Sequence, residues 1–219
     1  TTGTASINMQ GFSSGTLSVG THSLFIPAGR GNNKIDLNPG SSGTAVFDNI
    51  SLTLADSDRS VNNNGLQVNG TITKTAVATG AELVAYSGFS ASNYLEQPYN
   101  ADLDFGTGDF SVSCWVKDAG ATGDEIFRRT DAAFAGAYIR AYVTAASMVV
   151  RTSGGIFTST RAIKDGNFHH INVIRRAGVL ELWIDGSLDG SDADVANLDN
   201  TAATLVLGNR QGGGDPLST

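Results

Sequence analysis

D-F-S-V-S-C-W-V-K, residues 109–117, places Phe110, Val112, Cys114 and Val116 on one side of an extended chain and Ser111, Ser113, Trp115 and Lys117 on the other. That alternation has the period of two expected of a strand with a core on one side and water on the other. Two further runs, F-H-H-I-N-V-I-R (168–175) and V-L-E-L-W-I (179–184), continue the pattern between glycine-rich turns. Working outward, strands are predicted at 82–86, 110–117, 125–129, 138–143, 148–152, 157–161, 169–175, 180–184 and 204–207, separated by Gly, Asp and Asn. Short strands at this regular spacing predict an all-β, antiparallel two-sheet sandwich.

The composition agrees. The chain has 219 residues, with Gly 27, Pro 4 and only 16% charged residues. A chain of this length buries roughly two thirds to three quarters of its unfolded surface, enough for a genuine core. Glycine and β-branched residues weaken helices, and no amphipathic helical stretch is present. The formal net charge of -7 argues against nucleic acid as a partner, because phosphate binding needs a basic face. The pairs Arg128-Arg129 and Arg175-Arg176 read as surface charges at strand ends. The single cysteine, Cys114, sits in the apolar phase of its strand and reads as a small core residue. No run approaches the roughly 18 apolar residues of a membrane span, so no membrane insertion is expected. The start at Thr1, without a leader, is read as a processed chain or a portion of a longer one.

Three phrases carry a family resemblance: D-F-S-V-S-x-W-V-K at 109–117, D-G-x-F-H-H-I at 165–171 and the hairpin W-I-D-G at 183–186. With T-L-V-L-G-N-R-Q-G-G-G at 204–214, they resemble the laminin G-like, concanavalin A-like lectin/glucanase group over roughly 81–217. The resemblance implies a jelly-roll sandwich over 81–219, lacking the last strand that the family normally adds after the glycine loop. Upstream, 47–100 is similar to segments of bacteriophage tail-fibre and other virion surface proteins. Residues 1–55 hold brief runs at 5–9, 23–26, 34–37 and 50–54. They resemble the closing half of a carbohydrate-binding-module-like jelly roll, a partial β segment with edges left open. Residues 56–80 read as an extended, polar connector with one or two strands. Open β-segments and connectors suit a fibre in which other copies supply partners, so a homo-oligomer, a trimer by the phage resemblance, is expected.

Chemistry is sparse. Laminarinase-type relatives carry an E-x-D-x-E strand, which sets the two carboxyls of a retaining glycosidase roughly 5 Å apart on one face. Here Asp124 and Glu125 are adjacent and point apart, and Glu181 has only Asp185 in phase, so no enzyme is expected. The match of Gly11-Phe-Ser-Ser-Gly15 to a nucleophile elbow lacks the helix that gives that motif meaning. His169 and His170 leave opposite faces of one strand and cannot chelate a metal side by side; one is expected near the core, hydrogen-bonded, and the other on the surface. Asp189, Asp192 and Asp194, with Asp185, lie in a turn-rich acidic stretch and are the candidate calcium ligands. Trp115 and Trp183 fall opposite their strands' aliphatic residues and are the candidates for stacking on a sugar ring; the alternative, favoured for Trp115 because tryptophan recurs at that position across the fold, is that both rings are covered by a loop or a neighbouring subunit. Arg128, Arg129, Asp131, Asn209, Arg210 and Gln211 are candidate loop contacts.

These readings predict a non-enzymatic bacteriophage virion structural protein, in a tail fibre or capsid-decorating fibre. Its lectin-like domain would adhere to host-surface glycan, with other virion proteins as further partners. The alternative is a secreted, extracellular bacterial lectin module or an appendage of a glycanase.

Overall fold

The structure, a computed structural model, describes residues 5–9, 12–18, 20, 22, 35–39, 46–47, 55–56, 65–79, 83–118, 124–145 and 147–209. The chain divides into two compact units, Thr1–Leu66 and Gln67–Thr219.

In the first unit, β1 (Ala5–Met9), β2 (Phe12–Ser13) and β3 (Asp36–Pro39) form an antiparallel sheet in the order β2-β1-β3. Ile7 lies opposite Leu37, and Asn8 opposite both Ser13 and Asp36. Ser14 extends the β1–β2 pairing: its amide donates to the Ile7 carbonyl at 2.9 Å and its Oγ accepts the Ile7 amide at 2.9 Å. A two-residue strand, β4 (Ala55–Asp56), follows. The predicted runs at 23–26 and 50–54 lie outside the described residues.

The second unit begins within β5 (Leu66–Asn69), one of the strands expected in the connector. Val68 of β5 pairs with Leu95 of β8 (Tyr94–Gln97), so this segment belongs to a sheet. Next, β6 (Thr73–Ala76) and β7 (Val84–Ser87) form a separate hairpin. The physical reason is backbone pairing: a polar strand is stable where a neighbour satisfies its amides and carbonyls, whatever its side chains. The family's final strand would fall at 210–219, outside the described residues.

A single 3-10 turn, Ala101–Leu103, leads into the body of the sandwich. The remaining strands are β9 (Phe110–Lys117), β10 (Asp124–Thr130), β11 (Ile139–Val143), β12 (Ser147–Thr152), β13 (Ile156–Ala162), β14 (Phe168–Arg176), β15 (Val179–Ile184), β16 (Ser187–Ala193) and β17 (Thr204–Leu207). Within this unit the larger sheet runs β13-β12-β11-β10-β17-β8-β5 and the smaller β16-β15-β14-β9, antiparallel throughout. The all-β, antiparallel jelly-roll sandwich expected from the sequence is present.

Between the sheets lie Ile171, Val173, Leu180, Leu182 and Ile184 from the smaller sheet and Phe127, Ile139, Ala141, Val143, Met148 and Val150 from the larger. Each large apolar side chain buried there contributes roughly 1.5–3 kcal/mol relative to exposure. Hairpin turns fix the register of the smaller sheet. Ala177-Gly178 and Asp185-Gly186 all have positive φ, 50° and 75° in the first turn and 51° and 75° in the second. That geometry matches the twist of the flanking strands and suits a glycine at the second position.

Strand β16 was expected to be an acidic turn-rich stretch. It is a strand because the Asp185-Gly186 turn lays it back along β15, Leu182 opposite Gly190 and Glu181 opposite Ser191. Its carboxylates tie the smaller sheet to the edge of the larger one. Asp189 accepts the amides of Thr160 (2.7 Å) and Arg161 (3.2 Å), and Asp192 accepts that of Ile156 (3.2 Å), all on β13. Gly190 allows this approach, since a Cβ there would stand 2.2 Å from the Phe157 ring.

Candidate functional site

The outer side of the smaller sheet is assembled by register. Trp115 of β9 lies opposite His170 of β14, and one row further Ser113, Asn172 and Trp183 stand side by side on β9, β14 and β15. Trp115 is 67% exposed, as the alternation of its strand requires. Its ring lies 5.0 Å from that of His170, tilted by 41°, and the His170 Nε2 is 3.0 Å from the Ser113 hydroxyl. Trp183 is half-buried, with its indole N–H donating to Glu181 at 2.9 Å. Glu181 also accepts from Arg176 at 2.9 Å. The Trp183 hydrogen bond, aided by Arg176, holds the Glu181 carboxyl below its usual range against the opposing effect of desolvation. Phe168 and Leu188, 53% and 49% exposed, extend this apolar face.

Strand spacing and rise set Trp115 and Trp183, two strands and one row apart, at roughly 12 Å. Both are separated by more than one sugar ring, so a ligand touching both is an oligosaccharide. His170, Ser113, Phe168 and Leu188 were not singled out from sequence. Their signal was present, since Ser113 shares the outward phase of Trp115, but cross-strand neighbours appear only once register is known.

Other candidates take structural positions. Arg128 and Arg129 are not loop residues or surface charges. They lie in β10, 3% and 2% exposed. The Arg128 guanidinium is 3.9 Å from the centre of the Phe134 ring. Arg129 donates to the carbonyls of Leu198 (2.9 Å) and Asn200 (3.3 Å) and to the Asp104 carboxylate. Arg175, expected on the surface, is fully buried and donates to the carbonyls of Gly108, Ala196 and Gly106 at 2.8, 2.8 and 2.7 Å. The Arg129 and Arg175 guanidiniums are buried because each finds the hydrogen-bond partners that a desolvated charge requires. Asn209 is fully buried as well, its side-chain amide donating to the Ser90 carbonyl at 2.7 Å. Asp131 shapes its own loop by accepting the amides of Ala135 (3.0 Å) and Gly136 (2.7 Å). Led by the Ala135 amide, these bonds bring its carboxyl down to about 2. Arg210 and Gln211 lie outside the described residues.

The histidine pair divides as the strand period requires. His170 joins the outer face, whereas His169, its side chain 14% exposed, sits between Asp185 (Nδ1, 2.8 Å) and Asp165 (Nε2, 3.0 Å). Burial works against a charged ring, but the bonds to Asp185 and Asp165 outweigh it and raise the His169 pKa.

A family model described as the concanavalin A-like lectin/glucanases superfamily matches residues 89–218. The chain belongs to this superfamily. Among solved structures, a laminin G-like neighbour is the mouse laminin alpha1 chain, domains LG4-5, at 17% identity and TM-score 0.44, over 53% of this chain and 32% of that one. Domain 4 of AbnA, a GH43 extracellular arabinanase from Geobacillus stearothermophilus in complex with arabinotriose, is similar at 20% identity and TM-score 0.50. That alignment covers 78% of each chain. A third structure, HCR/D-Sa-GBL1/C, is similar at 11% identity and TM-score 0.51, over 71% of this chain and 43% of that one. The chain thus spans about a third of the laminin fragment and under half of the third structure. No curated protein matches the chain.

As a member of the concanavalin A-like superfamily, the chain can be tested for the family's chemistries. The carboxylates of Asp189, Asp192 and Asp194 accept hydrogen bonds from the chain itself. Asp189 and Asp192 face the β13 amides, while Asp194 is buried against Thr152 Oγ1 (2.8 Å) and the Ala196 amide (3.0 Å). Among the described residues no group of three His, Cys, Asp or Glu side chains is placed to hold a metal ion. Of the carboxylates, Glu125 is fully buried and forms a two-point ion pair with Arg140, at 2.9 and 2.5 Å. The Cys114 thiol is pushed up to about 11 by burial, which removes its nucleophilic form at neutral pH. Among the described residues, no helix is long and apolar enough to cross a membrane.

Proposed function

We propose that this chain is a non-enzymatic carbohydrate-binding protein of a bacteriophage particle, part of a tail fibre or capsid-decorating fibre that adheres to glycan on the host surface. The carrying observation is the bare aromatic side of the smaller sheet, where Trp115 stands 67% exposed beside His170 and in reach of Trp183. An apolar indole face matches the C–H face of a pyranose, and the neighbouring hydroxyl, imidazole and amide groups of Ser113, His170 and Asn172 can orient its hydroxyls. The superfamily is one of lectins and glucanases, which supports carbohydrate as the ligand class. Placement on a virion surface rests on the resemblance of 47–100 to phage fibre segments. A fibre further implies a homo-oligomer, a trimer, docked to other virion proteins.

A second reading is a secreted extracellular module attached to a glycanase. The arabinanase domain with bound arabinotriose favours it, being matched over 78% of both chains.

The test is a glycan array probed with the intact chain and with Trp115→Ala. The wild-type protein is expected to retain a defined set of oligosaccharides, and the variant to lose at least tenfold in affinity for them; unchanged retention would remove Trp115 from the site. Antibody labelling of particles, with sedimentation analysis, separates the readings. A particle-borne oligomer supports the fibre, and a free monomer the secreted module.

A further inference from the structure

We infer that the outer side of the larger sheet carries a second binding site, for the carboxylate or sulfate groups of an acidic saccharide, built on Arg151 beside the rings of Tyr138 and Phe134. Three arginines stand in one cross-strand row: Arg128 of β10 lies opposite Arg140 of β11, which lies opposite Arg151 of β12. Glu125 pairs with Arg140, and aromatic rings flank the row. Arg140 lies 4.0 Å from the Tyr142 ring centre and 5.9 Å from that of Phe134, and Arg151 lies 5.7 Å from that of Tyr138. Arg151 is exposed, and among the described residues no carboxylate pairs with it. The Arg151 end therefore keeps a positive charge on a chain whose formal net charge is -7.

The loop beside the row adds an independent observation. Phe134 has a φ of 58°, a left-handed conformation that is strained for an aromatic residue. Asp131 holds it there by accepting the amides of Ala135 and Gly136, and its ring, 37% exposed, lies 4.9 Å from that of Tyr138. Backbone strain maintained to set a ring beside arginines is a feature of ligand clamps. Guanidiniums make two-point hydrogen bonds to carboxylate or sulfate, and flanking rings offer apolar contact to the sugar that bears them. A broad basic surface for nucleic acid is absent from this row, which leaves a short acidic saccharide as the fitting occupant. The site is on the other side of the sandwich from Trp115 and does not rest on the adhesion reading above.

The test measures binding of the intact chain to polygalacturonate, to dextran sulfate and to neutral arabinan at low and moderate salt. One or both anionic polymers are expected to bind, more weakly as salt rises; the one retained identifies carboxylate or sulfate. Arg151→Gln, at an exposed position with its thermal unfolding checked, is expected to weaken that binding at least tenfold, while Trp115→Ala leaves it unchanged. Failure of both anionic polymers to bind at low salt, equal affinity in Arg151→Gln, or loss in Trp115→Ala would each overturn the site.

Discussion

Strands β9 and β10 follow one another in the chain and meet opposite environments. On β9 buried and exposed positions alternate, and the outward side carries Trp115 at 67% exposure. On β10 every residue from Asp124 to Thr130 is buried, and the outward side carries Arg128 at 3%. One strand has water on one side; the other has none. A strand covered on both faces usually reads as a continuous apolar run. Here the covered strand is D-E-I-F-R-R-T, and two of its charges are held by partners from other strands and loops: Glu125 by Arg140, Arg129 by Asp104 and two carbonyls. The lesson is that alternation reports exposure, whereas polarity alone does not.

The sharpest way to break this comparison is to remove a buried guanidinium. Arg175→Met leaves the Gly106, Gly108 and Ala196 carbonyls without their donor and Asp194 without a nearby positive charge. A loss of about 3–5 kcal/mol in urea unfolding is expected, as for other broken buried polar sets. A cost below about 1 kcal/mol would show that covered strands here tolerate unmet polar groups, and the contrast with β9 would fail.

An intermediate effect is expected where the two environments meet, at His169. Its folded pKa lies above the ordinary 6.5, so its stabilisation is complete below that value and fades as pH rises through the folded pKa. Asp165, lowered to about 2 chiefly by Asn167, and Asp185, lowered chiefly by His169, behave in the opposite sense. Their contribution is complete above about 3.9 and fades as pH falls through the folded values. The cluster is therefore strongest between about pH 4 and 6.5. His169→Gln is expected to flatten the decline in stability between about pH 6 and 8; an identical slope in both proteins would remove the charged imidazole from the account.

The smallest effect on folding belongs to the bare face. Trp115→Ala is expected to change unfolding free energy by no more than about 0.5 kcal/mol. A larger loss would mean that the indole is packed, and β9 would then resemble β10.

Much of the fold was legible along the chain. Val112, Cys114 and Val116 mark the inner side of β9, and Ile171, Val173 and Leu182 mark their partners, because period two is a local property. The outward position of Trp115 followed from the same rule. Strand β16 was not legible, since S-L-D-G-S-D-A has no apolar alternation and owes its place to the turn before it and to β13 beyond it. Strand β8 and the pairing of β5 were missed for a related reason: their partner residues lie far away in sequence.

The sequence by itself determined an all-β sandwich and the outward phase of Trp115, because side-chain alternation and turn chemistry act over a few residues. Only the tertiary structure decided that Arg128, Arg129 and Arg175 are buried, that the β16 carboxylates bond to strand β13, and that His170 flanks Trp115. Burial of a charge depends on partners drawn from distant strands, and that pairing exists only once the sheets are in register.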